Sequence, residues 1–330
     1  MLSDTHGRVR TSRLTHYILQ NIGVILAFSI FFLVLLTFLV IFFLEQDRFP
    51  GNFELTSTIN TTIPLVFAAV GQGIVILTRG IDLSVGGIID LANAIAAVTM
   101  TKTVPDALGW SLFVLLIGGV CGLINGLFVA IGRLQPIVVT LATLSIFQGI
   151  AVRVLPQPGG AIPAGYTNML VNPNYPGAFV YIIILALAWA AFRRSRIGVN
   201  LFAIGNDEQA ARAQKIDVIK TKIIAYVLSG ILASAAGLFL AASATAGDAN
   251  TGNSYTLSSI VAAVIGGVSL FGGRGSGVGA IVGAFIVTLI VDILFFGHVN
   301  PLYQPFYEGL FLIFAVLLGV FISRVIRRRR

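Results

Sequence analysis

From Ile22 to Leu44 the chain runs for 23 residues without a charge. As a helix rising ~1.5 Å per residue this stretch is about 34 Å long, enough to cross a hydrocarbon core of about 30 Å. More apolar runs follow it: about Asn60–Thr78, Val85–Met100, Leu108–Ile131, Pro136–Val152, Gly177–Phe192, Ile223–Ala242, Leu257–Phe271, Val278–Phe296 and Phe306–Val325. A water-facing globule carries charge on roughly a quarter of its residues. Here only 10% of 330 residues are charged and 57% are hydrophobic. Hydrocarbon must therefore be the solvent for most of the surface. The runs lack the ~10-residue alternation of a membrane barrel. The expected fold is all-α, a single polytopic transmembrane bundle of about ten spans over residues 1–330. Spans two, three and eight are short, which leaves room for a broken or re-entrant segment.

Charge placement fixes an expected orientation. Arg8, Arg10 and Arg13 precede the first run, as in a secretory signal, but that run is too long for a signal core and does not end in small residues. It is expected to stay as the first span. With both termini cytoplasmic, the inward segments carry 18 of the 21 Lys and Arg, leaving Arg48, Lys102 and Arg153 outside. The net charge of +8 does not point to nucleic acid, because the basic residues sit in the gaps and tails and form no stripe with interleaved aromatics. The run Arg327–Arg330 is placed to face anionic head groups. The single cysteine, Cys121, lies in an apolar run and permits neither an internal disulfide nor a metal-ligand cluster. His6, His16 and His298 all fall outside the spans, and no nucleophile–base set supports a membrane enzyme.

Glycines at 118, 122 and 126, and again at 275, 279 and 283, make small-residue ridges that admit a close neighbouring backbone. Two outward loops, 156–176 and 243–254, are rich in turn residues and are expected either to shape an outer vestibule or to serve as plain connectors.

Three inward segments carry the chemistry. The loop from Arg193 to Lys222 holds seven cations and three acids. Placing those cations in lipid would cost on the order of 20 kcal/mol, so the loop belongs in the cytosol. Within it Asn206 is expected to cap a short Ala-rich helix, with Gln209 at the return position and Asp207 and Glu208 in the first turn. Such a helix fits a groove on a cytosolic partner, or else is a solvated linker. In the second segment, Arg79–Gly87, Asp82 is expected to accept backbone N–H groups, Ser84 to cap the next helix and Arg79 to pair with Asp82. The third, Gly266–Ser276, also turns at the cytoplasmic face and contains Arg274 and Ser276.

In this order and spacing the three segments resemble the permeases of bacterial ABC importers for ribose, xylose, galactose and related sugars. The resemblance rests on G-I-D-L-S-V-G at Gly80–Gly86, A-I-G-x-N-x-x-A-A at Ala203–Ala211 and I-G-G-x-S-L-F-G-G-R-G-S at Ile265–Ser276, and it covers about residues 60–325. It implies a second permease subunit, identical or paralogous, a cytosolic ATPase with tandem nucleotide-binding halves, and a periplasmic sugar-binding protein, all at the bacterial inner membrane. It also implies that Asn206, Asp207, Glu208, Gln209, Ala210, Ala211, Arg212 and Gln214 form the coupling helix that docks on the ATPase. The chain departs from the family at Gln214-Lys215-Ile216, where S-G-I is common, and at Thr256-Leu257-Ser258, where E-L-D is common.

No Gly-Lys dipeptide occurs, so there is no phosphate-binding loop of the Walker type. ATP and Mg are expected on the partner, with no cofactor in this chain. Gly275–Ala280 matches a dinucleotide fingerprint formally but follows a span rather than a strand. Polar residues inside spans mark a candidate pathway: Gln72, Asp90, Asn93, Asn125 and Gln148, with Asp90 foremost. The alternative for each is an interhelical hydrogen bond. The competing function is a stand-alone carrier, which needs several buried coupling carboxylates; only Asp90 and Asp292 fall inside spans.

Overall fold

The computed structural model describes residues 13–101, 103–172 and 174–303, together with 306, 307, 309, 310, 313 and 317. Most of the expected tenth span and both basic tails lie outside the described residues. The ordered elements are α1 (Arg13–Gln46), α2 (Asn52–Leu77), α3 (Val85–Thr99), α4 (Val104–Ala130), α5 (Pro136–Val154), α6 (Ala164–Leu170), α7 (Phe179–Arg194), α8 (Arg196–Asn206), α9 (Glu208–Ala213), α10 (Val218–Ala244), α11 (Asn253–Ile265) and α12 (Gly277–Phe296).

Six of these are long and apolar enough to cross a membrane: α1 from Gly23, α2, α4, α5, α10 and α12. Their placement follows from composition. Helix α2 carries small and polar residues (Thr56, Asn60, Thr62, Gly71, Gln72) among its apolar ones and is buried nearly throughout at the centre of the bundle. Helices α1, α4 and α5 are ringed with Leu, Phe, Ile and Val, many of them exposed, as lipid contact requires.

The glycine ridges find their neighbours. Gly118, Gly122 and Gly126 of α4 lie on α10 so closely that a methyl group on Gly122 would overlap the Tyr226 carbonyl. The second ridge packs α12 on α11, Gly279 against Gly266 and Gly283 against Ala262. Helix α1 packs on α12 through Ala27, Phe38 and Phe42.

Two apolar helices are too short to span. Helix α3 has 15 residues and α11 has 13, about 22 and 20 Å against a core of about 30 Å. They meet at their N-termini, where Gly86 and Gly252 touch, and run apart. The end of α3, at Ala97, lies against residues 160 and 247; the end of α11, at Gly266, lies beside the start of α12. Both are half-length segments: α3 packs on α10, α5 and α4, and α11 on α12 and α2. Such interrupted backbone is admissible inside a bilayer only when protein surrounds it.

Two elements within the loops had no sequence expectation. Helix α6 lies in the 156–176 loop, and the amphipathic α8 precedes α9.

Candidate functional site

The three motif segments converge at one end of the bundle, the basic face. The guanidinium of Arg79 donates from Nε to the Gly205 carbonyl (2.8 Å) and from Nη2 to the Asn206 carbonyl (2.6 Å). It thereby occupies the carbonyl end of α8, where a cation is favoured. The Gly273 N–H donates to the Leu77 carbonyl (3.0 Å) and the Asn206 amide to the Gly273 carbonyl (3.4 Å). Gly205 sits at the crossing: a side chain there would collide with Leu77 and Gly273 backbone atoms. The end of α2, the end of α8 and the 266–276 turn therefore form one hydrogen-bonded knot. Arg274 is exposed on that turn, and Ser276 is buried at the N-terminal boundary of α12 without a side-chain cap.

Three local expectations are corrected here. Arg79 does not pair with Asp82; it is spent on α8. Asn206 does not cap α9: it is the last residue of α8, and its side-chain amide donates back to the Phe202 carbonyl (2.9 Å). Asp207 caps instead, accepting the N–H groups of Gln209 (2.9 Å) and Ala210 (3.0 Å), so Gln209 is one residue early for the return position. The short helix is Glu208–Ala213, not Asn206–Gln214.

On α9 the carboxylate of Glu208 binds Arg212 (2.8 Å) and Lys222 of α10 (2.7 Å). Partial burial pushes the Glu208 carboxyl up, but hydrogen bonds from Lys222 and Arg212 outweigh it and hold the pKa below the ordinary value of 4.5. Ala211 faces inward, packed with Ile204 and Val218. Gln209, Ala210, Arg212, Ala213 and Gln214 are exposed. Between α9 and the α4–α5 turn lies a groove of about 970 Å³, lined by Arg79, Arg133, Glu208, Arg212, Lys222 and Tyr226 among others.

Above this face the 78–84 turn is locked by a buried polar network. Asp82 Oδ1 accepts from Ser84 N (3.0 Å) and Ser84 Oγ (2.6 Å), and its Oδ2 accepts from Ser229 Oγ of α10 (3.0 Å). Asn125 of α4 donates to Ser84 Oγ (2.7 Å) and accepts from Thr143 of α5 (2.7 Å). Thr140 Oγ1 accepts the Leu83 N–H (3.0 Å). With its amide orientation assigned from the hydrogen bonds, Gln72 clamps the Asp82 backbone, donating to the carbonyl (3.0 Å) and accepting from the N–H (3.2 Å). Asp82 is an acceptor as expected, but Ser84 makes no side-chain cap, because its hydroxyl is engaged by Asp82 and Asn125. Gln72 and Asn125, two of the pathway candidates, thus serve this interhelical network.

The other three candidates gather elsewhere, around the 245–252 segment. Asp90 Oδ1 accepts the Gly252 N–H (2.6 Å), Asn93 Oδ1 accepts the Asp248 N–H (2.8 Å) and Gln148 Nε2 reaches Asn250 Oδ1 (3.5 Å). The outward loops also pair with each other: Gly159 and Gly247 exchange N–H···O bonds of 2.9 and 2.8 Å, and Ile162 N donates to the Thr245 carbonyl (3.2 Å). Backbone pairing of this kind has no signature in residue type, which is why the sequence did not disclose it. Asp292 of α12 accepts from Thr58 of α2 (3.1 Å) and holds those two helices together.

The profile of a permease family, described as "Branched-chain amino acid transport system / permease component", matches residues 55–320. The chain belongs to this family. The permease is 33% identical to the ribose import permease protein RbsC of Escherichia coli K12, over 86% of this chain and 91% of that protein. It is 31% identical to the galactose/methyl galactoside import permease protein MglC of the same strain, over 87% and 92%. It is 34% identical to the autoinducer 2 import system permease protein LsrC of Yersinia pestis, over 78% and 73%. No solved structure matches the permease. Family and apolar helices together make it a multi-pass inner-membrane protein and a transport component rather than an enzyme. A permease of this kind works with an ATPase and a periplasmic binding protein.

Proposed function

We propose that the chain forms the translocation path of an ATP-driven importer for a monosaccharide or a similar small polar solute. The observation that carries this reading is the knot at the basic face. It binds a short, firmly capped, outward-facing helix to the ends of the central helices α2 and α12, as transmission of work from a docked ATPase requires. In this reading α9 is the coupling helix within the cytoplasmic loop 193–222. Gln209, Ala210, Arg212, Ala213 and Gln214 present its docking surface, while Asp207, Glu208 and Ala211 fix it to the bundle. The basic face and both termini are cytoplasmic, and the apolar run 306–325 is read as the final span.

The proposed partners are a second permease subunit, a tandem ATPase that supplies ATP and Mg, and a periplasmic sugar-binding protein. The sugar assignment is supported by the relatives named for ribose and galactose import. A neutral solute suits a path whose buried carboxylates are few. Asp90, Asn93 and Gln148 lie on that path and Gln72 and Asn125 brace it.

The test is reconstitution of the full chain with its ATPase and binding protein in proteoliposomes, followed by uptake of labelled ribose and galactose. ATP-dependent uptake is expected. Uptake without the ATPase, or none of any pentose or hexose with the complete assembly, overturns the reading.

A further inference from the structure

Asp90 and Thr256 are two of several buried polar residues, Trp189 and Tyr226 among them, that hold an unpartnered atom, and these two share one corner of the bundle. Asp90 has no exposed surface and Thr256 is 7% exposed. Yet Asp90 Oδ2 and Thr256 Oγ1 each lack a hydrogen-bond partner. A buried polar atom left without a partner is costly, so two together call for a reason. Both flank the contact between the first turns of α3 and α11. A side chain on Gly86 would strike the Thr256 hydroxyl, and one on Gly252 would come within 2.9 Å of Asp90 Oδ1. No cation in an ion pair reaches Asp90 among the described residues.

The corner is roofed by residues 245–252. This segment is tied down by Gly252 N on Asp90 (2.6 Å), Asp248 N on Asn93 (2.8 Å), the Gly159–Gly247 pair (2.9 and 2.8 Å) and Gln148 on Asn250 (3.5 Å). Its own turn is held by Asp248, whose carboxylate accepts from Asn250 N (3.0 Å) and whose carbonyl accepts from Thr251 Oγ1 (2.7 Å). It is a strap: its own turn is hydrogen-bonded, and it is fastened to its surroundings by these bonds, by the Ile162 N–H on the Thr245 carbonyl (3.2 Å) and by Ala249, which is buried among Phe147, Ala151 and Leu155.

We propose that the Asp90–Thr256 corner is a binding site for solute hydroxyl groups, closed in this structure by the 245–252 strap, which must lift from α3 during transport. Asp90 Oδ2 accepts a hydroxyl from the solute, and Thr256 Oγ1 donates or accepts as the solute orients. Lifting breaks these hydrogen bonds, and an incoming hydroxyl replaces the one that Gly252 N–H gives to Asp90. The proposal rests on the monosaccharide reading and names where such a solute is held.

Two experiments test it in the complete importer in proteoliposomes, in a Cys121→Ser background. In the first, Thr256→Cys is exposed to a small charged methanethiosulfonate. Labelling is expected during turnover with ATP, binding protein and ribose or galactose, and not at rest. Equal labelling in both states overturns the strap. In the second, Val152→Cys, one turn beyond Gln148 on α5, and Asn250→Cys are joined by a short, reducible bis-methanethiosulfonate. Uptake by this variant is expected to be lost on linking and regained on reduction, with ATP hydrolysis continuing. Uptake that persists with the link complete overturns the proposal. Asp90→Asn keeps an acceptor for Gly252 N–H but turns Oδ2 into a donor. It is expected to raise KM for the solute more than it lowers the maximal rate; an unchanged KM counts against the site. If neither sugar is carried but Thr256→Cys labelling still depends on ATP and binding protein, the strap stands and the sugar reading falls.

Discussion

Asp82 has no exposed surface, and among the described residues no cation pairs with it. Its stability comes from three donors, Ser84 N, Ser84 Oγ and Ser229 Oγ. Asp82→Ala strands all three and is expected to lower stability by about 3 kcal/mol, read as a fall in Tm in detergent. Asp82→Asn keeps one acceptor oxygen and should lose less. Glu208 titrates differently. Its folded pKa lies below the ordinary 4.5, so its contribution is fully present above that value. It fades as the pH falls through the folded pKa. Between pH 6 and 8, roughly, the attachment of α9 to α10 should be independent of pH, and Glu208→Gln should weaken it at any pH in that range. Hydrogen exchange at 208–214 as a function of pH measures both effects.

At the scale of elements, α9 separates two kinds of alanine. Ala210 is exposed and Ala211 is packed on Ile204 and Val218. Ala210→Trp is expected to leave the permease folded and to block productive contact with the ATPase. Ala211→Trp overfills a packed site and should destabilise the α8–α10 unit by about 1–3 kcal/mol. Comparing Tm with sugar-stimulated ATP hydrolysis distinguishes the two. Element boundaries show what a sequence makes legible. Helices α1, α4 and α10 announce themselves, since charge-free runs about as long as a membrane core or longer admit one reading. The capping residue of α9 was misplaced by one position. Asn206 and Asp207 are both good caps, and only the unexpected continuation of α8 through Asn206 decides between them. Helix α8 escaped notice because its half-buried, mixed face around Leu201 and Ile204 is buried by tertiary contacts, not by a long apolar run. The apolar runs of α3 and α11 were visible, but their end-to-end meeting depends on Gly86 and Gly252, which lie far apart in the chain. The same holds for the candidate site. Residue types flagged both Gln72 and Asp90, Asp90 foremost, and only packing assigned one to the 78–84 turn and the other to the strap.

For the whole molecule, orientation rests on charge asymmetry. A single cysteine at Lys215 is expected to react with an impermeant thiol reagent only from the cytoplasmic side of inverted vesicles. One at Asn250 should react only from the opposite side. The reverse pattern would turn the permease over and detach α9 from any cytosolic partner. Within that frame Arg79 acquires a mechanical meaning. A left-handed residue at the end of α2 (φ 65°) grips the last two carbonyls of α8 with separate nitrogens. Two prongs resist twisting where one would swivel. In the proposed coupling role of α9, a push on that helix passes through α8 and this two-point joint to the end of α2, with little slack.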